Sequence, residues 1–324
     1  MDGLSHITPS EIVTPASSGE DVMPRYQRTL KAAIGCVGVG VHSGRRVNLR
    51  LCPAPADHGI VFRRTDLGRD IKARFDHVVD TRLCTVIADP SMQSARVGTV
   101  EHLMAALAGA AIDNVLIEID GPEVPILDGS AAQFLFLLDC AGAVDQASPR
   151  PVIEIRQPVR VGNRDTYAEL LPAGTPAGTG GPVLDMSVSI DFAAAAIGRQ
   201  SVSLRLTPNR FRHQIANART FALAEEITQL RAAGLAKGGS LANALVVDGA
   251  DILNPGGERM ASEFASHKLL DAVGDLALGG AALHGRFIGH CSGHALNNQL
   301  LRALFANRDA WRWAGSPSIT RAAA

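Results

Sequence analysis

Along Asn114-Val115-Leu116-Ile117-Glu118-Ile119 every second residue, Val115, Ile117 and Ile119, is apolar and Asn114 and Glu118 stand on the other face, the period of two that turns one face of a strand into a core. From about Ser262 to Leu278 the pattern differs: Phe264, Leu269, Leu270, Ala272, Val273, Leu276 and Leu278 put apolar side chains on most faces of a helix, which predicts burial. Upstream, a strand is expected through Thr29 to Cys36, a turn over Gly38-Val39-Gly40-Val41-His42-Ser43-Gly44, and a second strand through Val47, Leu49 and Leu51. Gly38-x-Gly40 is part of a nucleotide-binding fingerprint, but no helix follows at the required place, so a β-turn is the better reading. A helix from Val100 to about Ala108, with Thr99 as its cap and Gly109 as its stop, leads into the alternating strand. After the loop of Pro122 and Pro125, Ser130 is placed to cap another helix reaching about Cys140.

The second half repeats this order. The helix around 262–278 leads to a short strand at Arg286-Phe287-Ile288, then to Ser292-Gly293-His294 and a helix to about Phe305. A hairpin pattern, Val152 to Val161 with Tyr167 to Leu171, opens it. The expected fold class is α+β: two similar domains from an internal duplication, each a mixed sheet with helices, with the active site between them. The expected boundaries are a flexible leader at 1–24, a first domain at 25–146, a hinge in Ala-Ser-Pro-Arg-Pro at 147–151, a second domain at 151–310 and a C-terminal tail at 311–324.

Composition narrows the function without choosing it. The chain has 324 residues, 46% hydrophobic and 19% charged, with a net charge of −1, so no basic footprint for nucleic acid is present. Five scattered cysteines without a Cys-x-x-Cys pair argue against a disulfide framework or a cysteine-based zinc knuckle, and they fit a cytoplasmic protein. No apolar run is long enough for a membrane span or a signal peptide.

Chemistry enters with two histidine-bearing helices. His267 and Asp271 are four apart and share a face, which Glu263 and Asp275 extend by a turn each way. A solvated i,i+4 pair has the same spacing, but carboxylates on a helix this apolar need a partner or a metal. His102 would supply a third ligand, as a catalytic zinc requires, and Glu101 beside it a base for the attacking water. The first helical turn stabilises a carboxylate and disfavours an imidazolium, which suits both roles. His294, also at a helix start, needs a compensating carboxylate to serve as an acid, and Asp275 is the candidate.

Several blocks then make the chain recognisable. Gln27-Arg28-Thr29-Leu30-Lys31, Gly38 to Gly44, Thr99-Val100-Glu101-His102-Leu103 and Pro125-Ile126-Leu127-Asp128-Gly129-Ser130-Ala131 lie in the first half. Ala218-Arg219-Thr220-Phe221, Gly238-Gly239-Ser240, His267 to Asp275 and Ser292-Gly293-His294-Ala295-Leu296-Asn297-Asn298 lie in the second. In this order they resemble the UDP-3-O-acyl-N-acetylglucosamine deacetylase family of lipid A biosynthesis, from about Gln27 to about Ala306; the leader and the stretch at 173–182 depart from its pattern. The resemblance implies zinc, or ferrous iron in the cell, on His102, His267 and Asp271, with Glu101 activating water and His294 as general acid backed by Asp275. It further implies that Thr220 stabilises the oxyanion and that Lys268 and Phe221 contact the UDP-linked, acylated glucosamine. A βαβ insertion at about 220–251, with Leu223, Ile227, Leu230 and Leu235 on an amphipathic helix, would pass the fatty acyl chain. A cytoplasmic monomer with no nucleic-acid partner, and at most peripheral membrane contact, completes the expectation. Another zinc amidohydrolase, or a non-catalytic lipid-binding protein on the same fold, are the rival readings.

Overall fold

A computed structural model describes residues 22–174 and 181–314. Most of the expected leader, residues 175–180 of the stretch at 173–182, and residues 315–324 of the tail lie outside the described residues. The first half contains β1 (Tyr26–Leu30), β2 (Ile34–Val39), β3 (Arg46–Pro53), β4 (Ile60–Arg64), β5 (Arg69–Lys72), β6 (Val78–Asp80), β7 (Val86–Asp89), β8 (Met92–Val97), α1 (Glu101–Gly109), β9 (Val115–Ile119) and α2 (Ala132–Ala141). Across the junction and into the second half run β10 (Ala143–Pro149), β11 (Val152–Ile155), β12 (Val159–Gly162), β13 (Tyr167–Leu171), β14 (Leu184–Asp191), β15 (Arg199–Arg205) and α3 (Pro208–Gln214). Then come β16 (Phe221–Leu223), α4 (Ala224–Ala232), β17 (Leu245–Asp248), β18 (Asp251–Ile252), α5 (Glu263–Ala277), β19 (Ala282–His290), α6 (His294–Ala306) and β20 (Trp311–Ala314).

Two sheets with one topology organise these elements. In the first the order is β2-β3-β9-β4-β5, antiparallel throughout except for the parallel β4/β9 pair. In the second, β12-β13-β19-β14-β15 repeats the same order and the same senses, with β14/β19 as the parallel pair. Each sheet carries one buried and one more exposed face, as the period-two patterns of β3, β9 and β14 require. Between the fourth strand and the helix before the fifth, each half inserts a small three-stranded sheet: β6-β7-β8 in the first, β16-β17-β18 in the second. β16 and β17 are parallel, with α4 between them in sequence, a βαβ unit. No helix among the described residues is long and apolar enough to cross a membrane.

Several local expectations are corrected by long-range pairing. The strand expected from Thr29 to Cys36 is two: β1 leaves the hairpin and pairs with β10, while β2 pairs with β3. The hinge expected at 147–151 is strand as far as Pro149, and the buried Arg150 donates Nε to Asp113 at 2.7 Å. The hairpin expected from Val152 also divides, β11 pairing with β19 and β20 and β12 with β13. The strand at Trp311–Ala314 carries the second sheet past the expected boundary at 310. Thr99 does not cap α1. It stands in the left-handed region (φ 55), and its hydroxyl donates to Glu123, which also accepts the amides of His42 and Ser43. That carboxylate ties the glycine turn to the start of α1.

The sheets are joined by one core, at whose centre α1 packs against α5. Every residue of α5 except Lys268 and Ala277 is buried. Gly274 marks the closest approach, because a Cβ there would fall inside the envelope of the Glu101 carbonyl oxygen. A mid-helix glycine costs about 1 kcal/mol relative to alanine, and here the cost allows backbone to touch backbone. Gly274→Ala should therefore force the helices apart and destabilise the protein by about 1–3 kcal/mol despite the better helix former; urea unfolding measures it, and a stabilised variant would contradict the packing.

Candidate metal centre and active site

The crossing of α1 and α5 puts His102, His267 and Asp271 together, all buried, with one donor atom of each within 4.8 Å of the others. Asp271 Oδ1 lies 3.2 Å from His267 Nε2 and 3.6 Å from His102 Nε2, and the two imidazoles meet edge to face. Tetrahedral zinc ligands at about 2.0–2.2 Å stand about 3.3–3.6 Å apart, so the spacing fits. The buried Asp271 Oδ1 has no hydrogen-bond partner among the described residues. Such an orphan costs about 1–3 kcal/mol, a cost that a cation removes. His267 Nδ1 lies 3.1 Å from the Ala218 carbonyl, which selects the tautomer that leaves Nε2 free. Burial pushes the His267 pKa down to about 3 against the attraction of Asp271, so the imidazole is neutral, as a ligand must be. Burial opposes charge on Asp271 too, yet the Lys268 ammonium at Oδ2 holds its pKa well below the usual carboxylate value.

Around this triad stand the expected acid and base. Glu101 Oε2 accepts the Thr85 amide at 3.0 Å, and Glu101 Oε1 lies 4.0 Å from His294 Nε2. The helix-start argument for a readily ionised Glu101 is outweighed, since burial raises its pKa even though His294 and His102 pull it down. His294 Nδ1 meets Asp275 Oδ2 at 2.8 Å. Burial would neutralise this imidazole, but Asp275, with help from Glu101 and Asp271, pushes its pKa up to about 10.

Thr220 and Phe221 line the same cavity as Glu101 and His102. The Thr220 backbone is fixed at both ends, its amide donating to Gly129 and its carbonyl accepting from Leu245. The Phe221 ring packs on Phe264 at 5.0 Å and faces Lys268 Nζ at 5.4 Å. Lys268 Nζ donates to Asp271 Oδ2 at 2.9 Å. The cavity, about 500 Å³, runs from His102 and Glu101 to Ile227, Leu230 and Leu241 of the βαβ unit, with Leu83, Cys84 and Val41 on its walls. His42, another wall residue, lies in the glycine turn; its type was visible in the sequence, but nothing local told that it faces the site.

Glu263, placed by spacing on the metal stripe, does different work. It accepts Arg219 Nε at 2.8 Å, the Arg219 amide at 2.9 Å and the Arg259 amide, anchoring the segment that carries Ala218 and Thr220.

Two helices from topologically equivalent halves converge on a buried His-His-Asp set, with Glu101 and His294 beside it, at one end of a largely apolar cavity. The family model for LpxC, UDP-3-O-acyl N-acetylglycosamine deacetylase, matches residues 27–306, and the chain belongs to that family. It is 48% identical to the UDP-3-O-acyl-N-acetylglucosamine deacetylase of Idiomarina loihiensis and 47% identical to that of Acidithiobacillus ferrooxidans, in each case over 89% of this chain and 92% of the relative. Identity to the enzyme of the same name from Shewanella baltica is 45%, over 88% and 92%.

The buried Glu263 yields a pH test. Burial would raise its pKa, but hydrogen bonds from Arg219 and Arg259 hold it below 4.5. A depressed folded-state pKa contributes stability that is present above the unfolded value and lost as pH falls through the folded one. Glu263→Gln should cost about 3 kcal/mol at pH 7, and the gap to wild type should narrow steadily in urea titrations below about pH 4.5. A gap that does not change with pH would mean that the charge contributes nothing.

Proposed function

We propose that this protein hydrolyses the N-acetyl group of a UDP-linked, 3-O-acylated N-acetylglucosamine, releasing acetate in lipid A biosynthesis, with zinc or ferrous iron held by His102, His267 and Asp271. The observation that carries the reading is the meeting, at one end of an apolar cavity, of that ligand set with Glu101 and His294. When bound, the metal supplies Lewis acidity to the acetyl carbonyl and the attacking water.

The side chains supply the proton path. Glu101, fixed by the Thr85 amide, accepts the proton of the attacking water, and its raised pKa brings it nearer neutrality, where a base is most effective. His294, kept protonated by Asp275, donates to the nitrogen of the leaving amine. The Thr220 hydroxyl would donate to the developing oxyanion from a segment whose backbone is already pinned, so little reorganisation is needed. Lys268 and Phe221 would hold the UDP-sugar, and the Ile227 and Leu230 face would receive the acyl chain. A cytoplasmic monomer is the proposed state, and five free thiols are in keeping with a reducing compartment.

Metal analysis with deacetylation of a defined acylated UDP-sugar tests the assignment. His267→Ala and Asp271→Ala should lose metal and activity together. Glu101→Gln and His294→Ala should keep the metal and lose about 100-fold or more in turnover. Full metal content and normal turnover in the two ligand variants would sink the reading.

The acyl passage is tested by chain length. Each methylene buried contributes up to about 0.8 kcal/mol, so a substrate shortened by four carbons should lose on the order of a hundredfold in kcat/KM. Ile227→Asp should impair the long-chain substrate far more than chain-free UDP-N-acetylglucosamine. Equal losses on both substrates would remove the passage.

A further inference from the structure

We propose that Thr85 is a positioning residue that joins the base and the acid of the site into one hydrogen-bonded frame. Thr85 immediately precedes β7, is only 1% exposed and does not line the cavity, so it cannot act by touching substrate. All three of its polar groups are committed. Its amide donates to Glu101 Oε2 at 3.0 Å, its carbonyl accepts the Val100 amide at 3.4 Å, and its hydroxyl meets Asp275 Oδ1 at 2.5 Å. An ionised carboxylate only accepts, so the hydroxyl is the donor.

The other oxygen of Asp275, Oδ2, meets His294 Nδ1 and accepts Asn297 Nδ2, each at 2.8 Å. Thr85 is the donor at the opposite oxygen, and it comes from the first half of the chain, whereas Asp275 and His294 come from the second. One residue of the β6–β7 connection therefore sets the distance between Glu101 on α1 and the Asp275-His294 pair on α5 and α6. The hydroxyl also draws carboxylate charge towards Oδ1. Without it, charge concentrates on Oδ2 and the imidazole grips its proton more tightly, making it a poorer donor. The charged groups facing His294 are Asp275 and Asp271 from α5 and Glu101 from α1.

This inference rests on the acid and base roles proposed above, and the test separates the two. In the metal-loaded protein, Thr85→Val keeps the shape and the amide but removes the hydroxyl. It should lower kcat by about tenfold, the lower range for removing a supporting partner, with KM and metal content unchanged. The alkaline limb of the pH–rate profile should move to higher pH. In a His294→Ala background the same substitution should cause little further loss, because the group it acts through is gone. Thr85→Ser should restore the rate and the limb; if the valine variant does not fold, Thr85→Ala replaces it in every comparison. Wild-type kcat, an unmoved limb, loss of metal, a full additional penalty in the His294→Ala background, or a serine variant no better than valine would each overturn the proposal. If His294→Ala alone is fully active, the acid assignment has failed, a result read independently of Thr85.

Discussion

The structure depends on a glycine contact. Where α5 crosses α1, Gly274 lets the Glu101 backbone lie directly on the helix, and the meeting of His102, His267 and Asp271 is a consequence of that distance. His102 follows Glu101 on one helix; Asp271 and Asp275 lie three residues before and one after Gly274 on the other. A side chain at the crossing would move the imidazole away from its partners, since a packed core repositions whole elements instead of deforming locally. The repeated topology explains why the crossing is central. Each half presents the helix that precedes the central strand of the shared five-strand order, β9 or β19, and the two presentations meet.

Burying so many ionisable groups at one place would be unfavourable if each stood alone. Here the carboxylates have partners: Asp271 Oδ2 has Lys268, Asp275 has His294, Thr85 and Asn297, and Glu263 has Arg219. Low-polarity surroundings and unlike neighbours then separate the two histidines by protonation state. His267 is held neutral, whereas His294, against Asp275, is held protonated. The difference lies in the neighbours and not in the residue type.

The small sheets inserted in each half have unlike tasks. The connection between β6 and β7 brings Leu83, Cys84 and Thr85 to the centre, where two form wall and one hydrogen-bonds carboxylates. The βαβ unit of the second half contributes Ile227 and Leu230, partly exposed and facing the cavity, which is how an apolar ligand surface differs from core. The same leucine and isoleucine spacing would describe either until the tertiary structure is known.

Periodicity alone determined a large share of this protein. The alternation in β9 and the apolar run of α5 are local properties, and they placed His267, Asp271 and Asp275 on one helix and Glu101 and His102 at the start of another. The twofold order of elements likewise anticipated two sheets of like topology. Tertiary structure decided what depends on distant partners. β1 joined β10 because pairing is chosen by edges far apart in sequence, Thr99 gave its hydroxyl to Glu123 instead of capping α1, and Glu263 turned to Arg219. Spacing tells which residues share a face; only the folded chain tells what lies opposite that face, and therefore which carboxylate joins the two buried imidazoles, which binds an arginine and which keeps a histidine charged.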